Sequence, residues 1–185
     1  MTLEDLLSRL IPILEEVRIP YMVTGSVASS AHGAPRSTRD VDIVIAPTRA
    51  QLVALMQQFP SSDYCADELQ ALQALTQRSQ FNVIDHSTGW KVDFIIAEDS
   101  DYGRTALARR KAIEVAGKVV YVASAEDVLI AKLRWANLSG SERQRQDAAG
   151  IVITQAEKLD VAYVADWVQR LGLKKEWEAV RQTSR

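Results

Sequence analysis

The chain has 185 residues, 47% of them hydrophobic and 25% charged, with 22 lysines and arginines against 24 aspartates and glutamates and a formal net charge of −2. That supplies enough apolar material for a core that needs no disulfide or structural zinc, and the single cysteine, Cys65, excludes an internal disulfide and most cysteine-based metal sites. The slightly acidic balance also excludes a whole-surface attraction to nucleic acid.

Leu3, Leu6, Leu7, Leu10, Ile13 and Leu14 recur at helical spacing, and Thr2 is placed to cap the helix they form. This start carries acids and no basic n-region, so it reads as a first amphipathic helix and not as a signal peptide. No apolar run approaches the roughly 20 residues that span a bilayer; no membrane partner and a cytoplasmic location are expected. Tyr21 to Thr24 reads as a short buried strand, Gly25-Ser26 opens a small-residue helix ending near Gly33, and Pro35 cannot continue it. Val41 to Ile45 is a second strand closed by Pro47, followed by a capping-box start at Thr48 and a helix with Leu52, Leu55 and Met56 inward.

The stretch 61–80 is Gln- and Ala-rich and is expected to hold one more helix. Phe81 to Asp85 and Lys91 to Ile96 read as strands joined by the turn His86-Ser87-Thr88-Gly89, and Ala112 to Val115 with Val119 to Val122 as a second hairpin around Gly117-Lys118. From Ser124 the pattern is helical, with segments at 124–138, 141–159 and 160–171 and a last short piece. Ser124 with Asp127 and Ser141 with Gln144 fit capping-box spacing. The expected fold class is α/β (α+β), a small mixed sheet with flanking helices and a C-terminal helical part. Its expected division is a catalytic core at 1–123 and a helical subdomain at 124–185 that closes the cleft.

Three features carry chemistry. Along Asp40-Val41-Asp42-Ile43-Val44-Ile45 side chains alternate faces, so Val41, Ile43 and Ile45 share a core face while Asp40 and Asp42 share the other. Two carboxylates held this close repel unless a cation sits between them, and hard oxygen donors on a rigid strand suit Mg²⁺; the plain alternative is a pair of solvated edge-strand acids. The strand-turn-helix unit at Gly25-Ser26 offers a close backbone approach and a helix N-terminus for phosphate, or simply a tight connection with Ser26 as N-cap. Asp93 interrupts an otherwise apolar strand, where a charge is costly unless it is paired, hydrogen-bonded or metal-bound. If the two strands are neighbours, three carboxylates meet: two to hold the metals bridging a triphosphate, the third to hold the nucleophile-side metal or accept a hydroxyl proton.

Gly25-Ser26, then His32-Gly33-x-Pro35-Arg36-x-Thr38-x-Asp40-Val41-Asp42, then a later strand Asp93, resembles the nucleotidyltransferase fold of the DNA polymerase β type. Within it the pattern is similar to the small bacterial branch grouped with the AbiEii abortive-infection toxins. The resemblance implies an enzyme that moves NMP from an NTP to an acceptor hydroxyl with release of pyrophosphate, using Mg²⁺ or Mn²⁺. It implies Asp40, Asp42 and Asp93 as catalytic metal ligands, and Gly25 and Ser26, with Arg39, at the nucleotide. The toxin-like branch implies tRNA as acceptor and a cognate antitoxin; related enzymes transfer AMP to a partner toxin protein or nucleotides to aminoglycoside-like small molecules. A non-catalytic nucleotide- or partner-binding domain is the reading from another class.

The same branch often carries a Lys on one C-terminal helix and an Asp on the next, and Lys132 and Asp147 match those positions. On the 124–138 helix Leu129, Leu133 and Ala136 form the inward stripe, which puts Lys132 at the margin of the buried face. Lys132 is then either a phosphate contact that neutralises charge on leaving pyrophosphate, or half of an interhelical salt bridge with Asp147. Arg36 and Arg39 are candidates for phosphate contact or for pairing with the acids. The clusters Arg104, Arg109, Arg110, Lys111 and Lys132, Arg134, Arg143, Arg145 are either solvated helix faces or a basic rim for a polyanion. Trp135, Trp167 and Trp177 are expected in core or interface positions.

Overall fold

The computed structural model describes residues 2–33 and 38–183. Arg36 and Pro35 lie outside the described residues. The chain runs α1 (Leu3–Glu16), β1 (Tyr21–Thr24), α2 (Gly25–His32), β2 (Asp40–Ile45), α3 (Arg49–Met56), β3 (Tyr64–Ala66), α4 (Glu68–Gln77), β4 (Gln80–Asp85), β5 (Lys91–Ile96), α5 (Asp101–Ala108), β6 (Lys111–Val115), β7 (Lys118–Val122), α6 (Ala125–Ser139), α7 (Glu142–Gln155), a single 3₁₀ turn (Ala156–Lys158), α8 (Val161–Arg170) and α9 (Lys174–Thr183). It divides into two compact units, one of Met1–Thr24 with Thr38–Val122, the other of Gly25–Ser37 with Ala123–Arg185. Among the described residues no helix is long and apolar enough to cross a membrane.

The first unit is built on a seven-stranded mixed sheet of order β3-β4-β5-β2-β1-β7-β6. β2 runs antiparallel to β1 and parallel to β5, and β5 is antiparallel to β4. The alternation anticipated in β2 and β5 is present as burial: Val41, Ile43, Ile45, Val92, Phe94 and Ile96 are buried, while the residues between them are half-buried or exposed. Phe94 stacks on Phe81 of β4 at 5.2 Å and meets Phe59 at 6.3 Å, and Leu52 and Leu55 of α3 and Ala71 of α4 are fully buried in the same unit. β3 is an addition to the expected helix in 61–80. At three residues, pairing Tyr64 with Asp85, it is too short to show a periodic pattern.

Capping holds α1 and α3 as anticipated: Thr2 and Thr48 each close a reciprocal box with the side chain three residues on. Within α1, Pro12 has no N–H for the carbonyl of Ser8, four residues back. Lys118 Nζ donates to that oxygen at 2.8 Å instead, so the backbone acceptor a proline would orphan has a partner.

The second unit is helical. α6 packs against α2, α7 and α8, and α7 against α9. Ser124 caps α6 by accepting from Asp127 N at 3.2 Å, whereas Ser141 makes no side-chain cap on α7. The helix expected to run to residue 159 stops at Gln155, because Ala156 takes a positive φ of 38° and the chain tightens into the 3₁₀ turn. Trp167 and Trp177 are buried, while Trp135 is 53% exposed. Glu176 of α9, nearly buried, accepts from Arg145 Nε of α7 at 2.7 Å.

That hydrogen bond to Arg145 holds the Glu176 carboxyl below its ordinary value of 4.5. A lowered folded-state pKa contributes stability that is present above the unfolded value and is lost as pH falls through the folded one. The melting temperature of Glu176→Gln is therefore expected below that of the parent at pH 7. The gap should narrow below about pH 4.5; a gap independent of pH in thermal melts from pH 7 to 3 would remove the ion pair as its cause.

Candidate active site

β1, β2, β5 and β4 lie side by side in the sheet, and their registers carry one row across it. Thr24 of β1 is opposite Asp42 of β2, Asp42 opposite Asp93 of β5, and Asp93 opposite Asn82 of β4. Directly opposed residues project from the same face, so these four side chains stand in line on the face turned away from Val41, Ile43 and Phe94. One step toward the start of β2 a second row pairs Asp40 with Lys91 and Lys91 with Ile84. The condition that β5 lie beside β2 is met by a parallel pairing over all six residues of each strand.

Two acids at opposed positions of neighbouring strands repel. Lys91, two residues before Asp93 and hence on its face, answers the repulsion. Its Nζ is 2.8 Å from Asp93 Oδ2 and 3.9 Å from Asp40 Oδ1. The Asp93 side chain is 13% exposed, against 57% for Asp40 and 34% for Lys91, so the charge that costs most to bury is the one with the short ion pair. The hydrogen bond to Asp93, together with the attraction of Asp93, Asp40 and Asp42, outweighs desolvation and raises the Lys91 pKa above its ordinary 10.5. The positive form of Lys91 is thus favoured by its ion pairs with Asp93 and Asp40 and by the nearby charge of Asp42.

Among the described residues no group of three His, Cys, Asp or Glu side chains is gathered tightly enough to hold a metal ion. The donor set still suits a hard divalent cation. It offers only carboxylate oxygens, the ligands Mg²⁺ and Mn²⁺ prefer, and it already draws in a positive charge, the Lys91 ammonium, as a stand-in. Lys91, Asn82 and Thr24 were not singled out from the sequence. Period-two alternation places Lys91 on Asp93's face, whereas the rows containing Asn82 and Thr24 depend on strand pairings that sequence alone does not specify.

Gly25 follows Thr24 directly and opens α2 with φ of +62°. A positive φ there favours glycine over any residue with a Cβ. Ser26 is the second residue of that helix, and Arg39, exposed, precedes β2. His32 closes α2, its Nε2 2.9 Å from the carbonyl oxygen of Ala123, which requires the ring nitrogen to donate. The carbonyl oxygen of His32 accepts from Gln155 Nε2 at 2.8 Å. A Cβ at Gly33 would stand 3.1 Å from Ile151 N and 3.2 Å from Gly150 C, so α2 ends in close backbone contact with α7.

Lys132 is deeper than the margin expected for it, at 4% exposure, with Nζ 2.8 Å from Asp147 Oδ2. Within the basic clusters Arg104, Lys132 and Arg145 are paired with carboxylates of the same chain. Arg104 bonds Asp99 and Asp101, Arg145 bonds Glu142 and Glu176, and Arg110 lies 4.7 Å over the Tyr121 ring while donating to the Leu107 carbonyl.

No protein-family model matches the chain, and no curated protein sequence matches it. Solved structures do. One of the antibiotic-resistance factor ANT(2'')-Ia, in complex with adenylyl-2''-tobramycin, matches at a TM-score of 0.59 and 16% identity over 96% of this chain and 99% of the other. The fold is that of the nucleotidyltransferases. The lincosamide antibiotic adenylyltransferase LnuA, lincomycin-bound, matches at 0.55 and 13% identity over 82% of this chain and 96% of its own. An antigenic nucleotidyltransferase-like protein from Paracoccidioides brasiliensis matches at 0.53 and 18% identity, over 96% and 90%.

The Lys132–Asp147 pair has a direct energetic test. Lys132→Met should cost up to about 3–5 kcal/mol of unfolding free energy because it removes the cation from a nearly buried ion pair. The double variant Lys132→Met/Asp147→Leu should recover most of that loss in denaturant titrations. Equal losses in the single and double variants would show that the two residues do not act as a pair.

Proposed function

We propose that the chain is a metal-dependent nucleotidyltransferase that moves a nucleoside monophosphate from an NTP to a hydroxyl of a small-molecule acceptor. The observation that carries the reading is the placement of Asp42 opposite Asp93, with Asp40 one step away on the same sheet face, within a nucleotidyltransferase fold. In this scheme Asp40 and Asp42 hold Mg²⁺ or Mn²⁺. A divalent ion so bound supplies charge neutralisation of the triphosphate and polarises the α-phosphate. Asp93 faces the same row and takes the proton of the attacking hydroxyl. The acceptor oxygen forms the new bond to the α-phosphorus as the bond to pyrophosphate breaks. Gly25, through the backbone at the start of α2, and Ser26, through its hydroxyl, are assigned the β- and γ-phosphates. Arg39 adds a cation at the entrance to β2. Lys132, engaged with Asp147, serves the scheme by fixing α6 against α7.

Two observations favour a small acceptor over tRNA or a partner protein. The fold matches include two antibiotic adenylyltransferases, one holding an adenylylated aminoglycoside and one a lincosamide. Arg104, Lys132 and Arg145, three of the eight residues that would form a rim for a polyanion, are paired with carboxylates of the same chain, and the net charge is −2. The toxin-like reading, with tRNA as acceptor and a cognate antitoxin, rests on the motif His32-Gly33-x-Pro35-Arg36 and remains the second arm of the test.

Incubation with α-labelled NTPs, Mg²⁺ and separate pools of hydroxylated small molecules, total RNA and cell protein should place label in the small-molecule pool. Asp42→Asn should lower that labelling by at least about 100-fold, the scale of losing a principal electrostatic contact in the transition state. Label in RNA would instead support the toxin-like arm. Equal labelling of any pool by the parent and Asp42→Asn would remove the metal site from the mechanism.

A further inference from the structure

The sheet face that carries the three acids also carries a cation, Lys91. Asp40, Lys91, Asp42 and Asp93 form a two-by-two block across β2 and β5, with Asp40 opposite Lys91 and Asp42 opposite Asp93. The ammonium contacts one carboxylate along its own strand, Asp93 at 2.8 Å, and one across the pairing, Asp40 at 3.9 Å. Without it the block would place three carboxylates on adjacent positions of one sheet face with no lysine between them. A lysine side chain is a compact charge on a flexible four-carbon stem, and this one retains 34% exposure. It is therefore free to leave toward solvent in a way that a fully buried cation is not.

We propose that Lys91 is a tethered counter-ion of the acid block: it holds Asp93 in place when no divalent ion is bound, and it yields when one arrives. The inference rests on the metal reading given above and adds the residue that regulates it. Lys91 is a positioning residue in this account. While its ammonium holds Asp93, that carboxylate is engaged and a poor proton acceptor; once the divalent ion supplies the positive charge, Asp93 is released for the acceptor hydroxyl. Lys91 thereby links availability of the proton acceptor to the presence of metal. It also sets a ceiling on metal affinity, because any ion entering must displace or tolerate a positive charge a few ångströms away.

The test compares EDTA-stripped parent, Lys91→Gln and Lys91→Arg by Mn²⁺ titration, followed by calorimetry and Mn²⁺ electron paramagnetic resonance, and by thermal melts with and without Mn²⁺. Lys91→Gln is expected to bind Mn²⁺ about tenfold more tightly or better, since an adjacent like charge has been removed. Lys91→Arg should stay within about threefold of the parent because the charge persists. In EDTA, Lys91→Gln should melt below the parent, and saturating Mn²⁺ should close the gap by binding the folded state alone. A simple structural ion pair predicts the opposite: a stability deficit that Mn²⁺ does not repair, with unchanged or weaker affinity. That result overturns the proposal while leaving the metal site standing. A Lys91→Gln protein that stays insoluble even when purified in Mn²⁺ also overturns it. Failure of the parent and both variants to bind Mn²⁺ sinks the metal reading itself, and this inference with it.

Discussion

The arrangement of the acids depends on one parallel pairing, β5 beside β2 in the register that sets Asp42 opposite Asp93. Parallel strands need a long crossover, and the chain between them supplies α3, β3, α4 and β4. A slip of one residue in either strand would turn its acids into the core and Val41 or Phe94 outward. The apolar faces of both strands oppose that slip: Val41, Ile43, Phe94 and Ile96 are buried to 1% exposure or less. Hydrophobic burial therefore enforces a register that electrostatics alone would avoid, and the cost of juxtaposed carboxylates is met locally by Lys91.

This division of labour explains how much could be read in advance. The burial alternation of β2 and β5 follows from residue type, so the shared face of Asp40 and Asp42 was legible without a structure. Asp93 as an exception in an apolar strand was equally visible. Strand adjacency was a condition that the sequence could state and not resolve, because nothing in β5 names its neighbour. Lys91 was legible in part: its position two before Asp93 puts it on the same face, while its approach to Asp40 depends on the pairing of β5 with β2. The pairing of Asn82 with Asp93 and of Thr24 with Asp42 depends wholly on long-range register and carried no local signal.

In the helical unit the same contrast appears. Periodicity located α6 and its inward stripe, and placed Lys132 beside that stripe. It could not say that Asp147 of α7 would face the lysine at 2.8 Å and draw it to 4% exposure. The capping motif at Ser124 formed its backbone bond, while that at Ser141 did not, because a capping residue only offers an acceptor and the path of the preceding chain decides whether it is used.

Lys132 and Lys91 make an instructive pair because both are lysines held at 2.8 Å by an aspartate, and the surroundings give them different consequences. Lys132 meets a nearly buried carboxylate, so separating the two costs heavily in a poorly solvated place, and the bond is worth keeping in every state of the protein. Lys91 is one-third exposed and faces a surplus of negative charge, so its departure costs little once another cation takes over. A buried pair with balanced charge is a fastener. A lysine one-third exposed beside carboxylates on two neighbouring strands is matched to a competitor of higher charge, and its place between Asp93 and Asp40 is the feature that a purely structural account of β2 and β5 leaves without a reason.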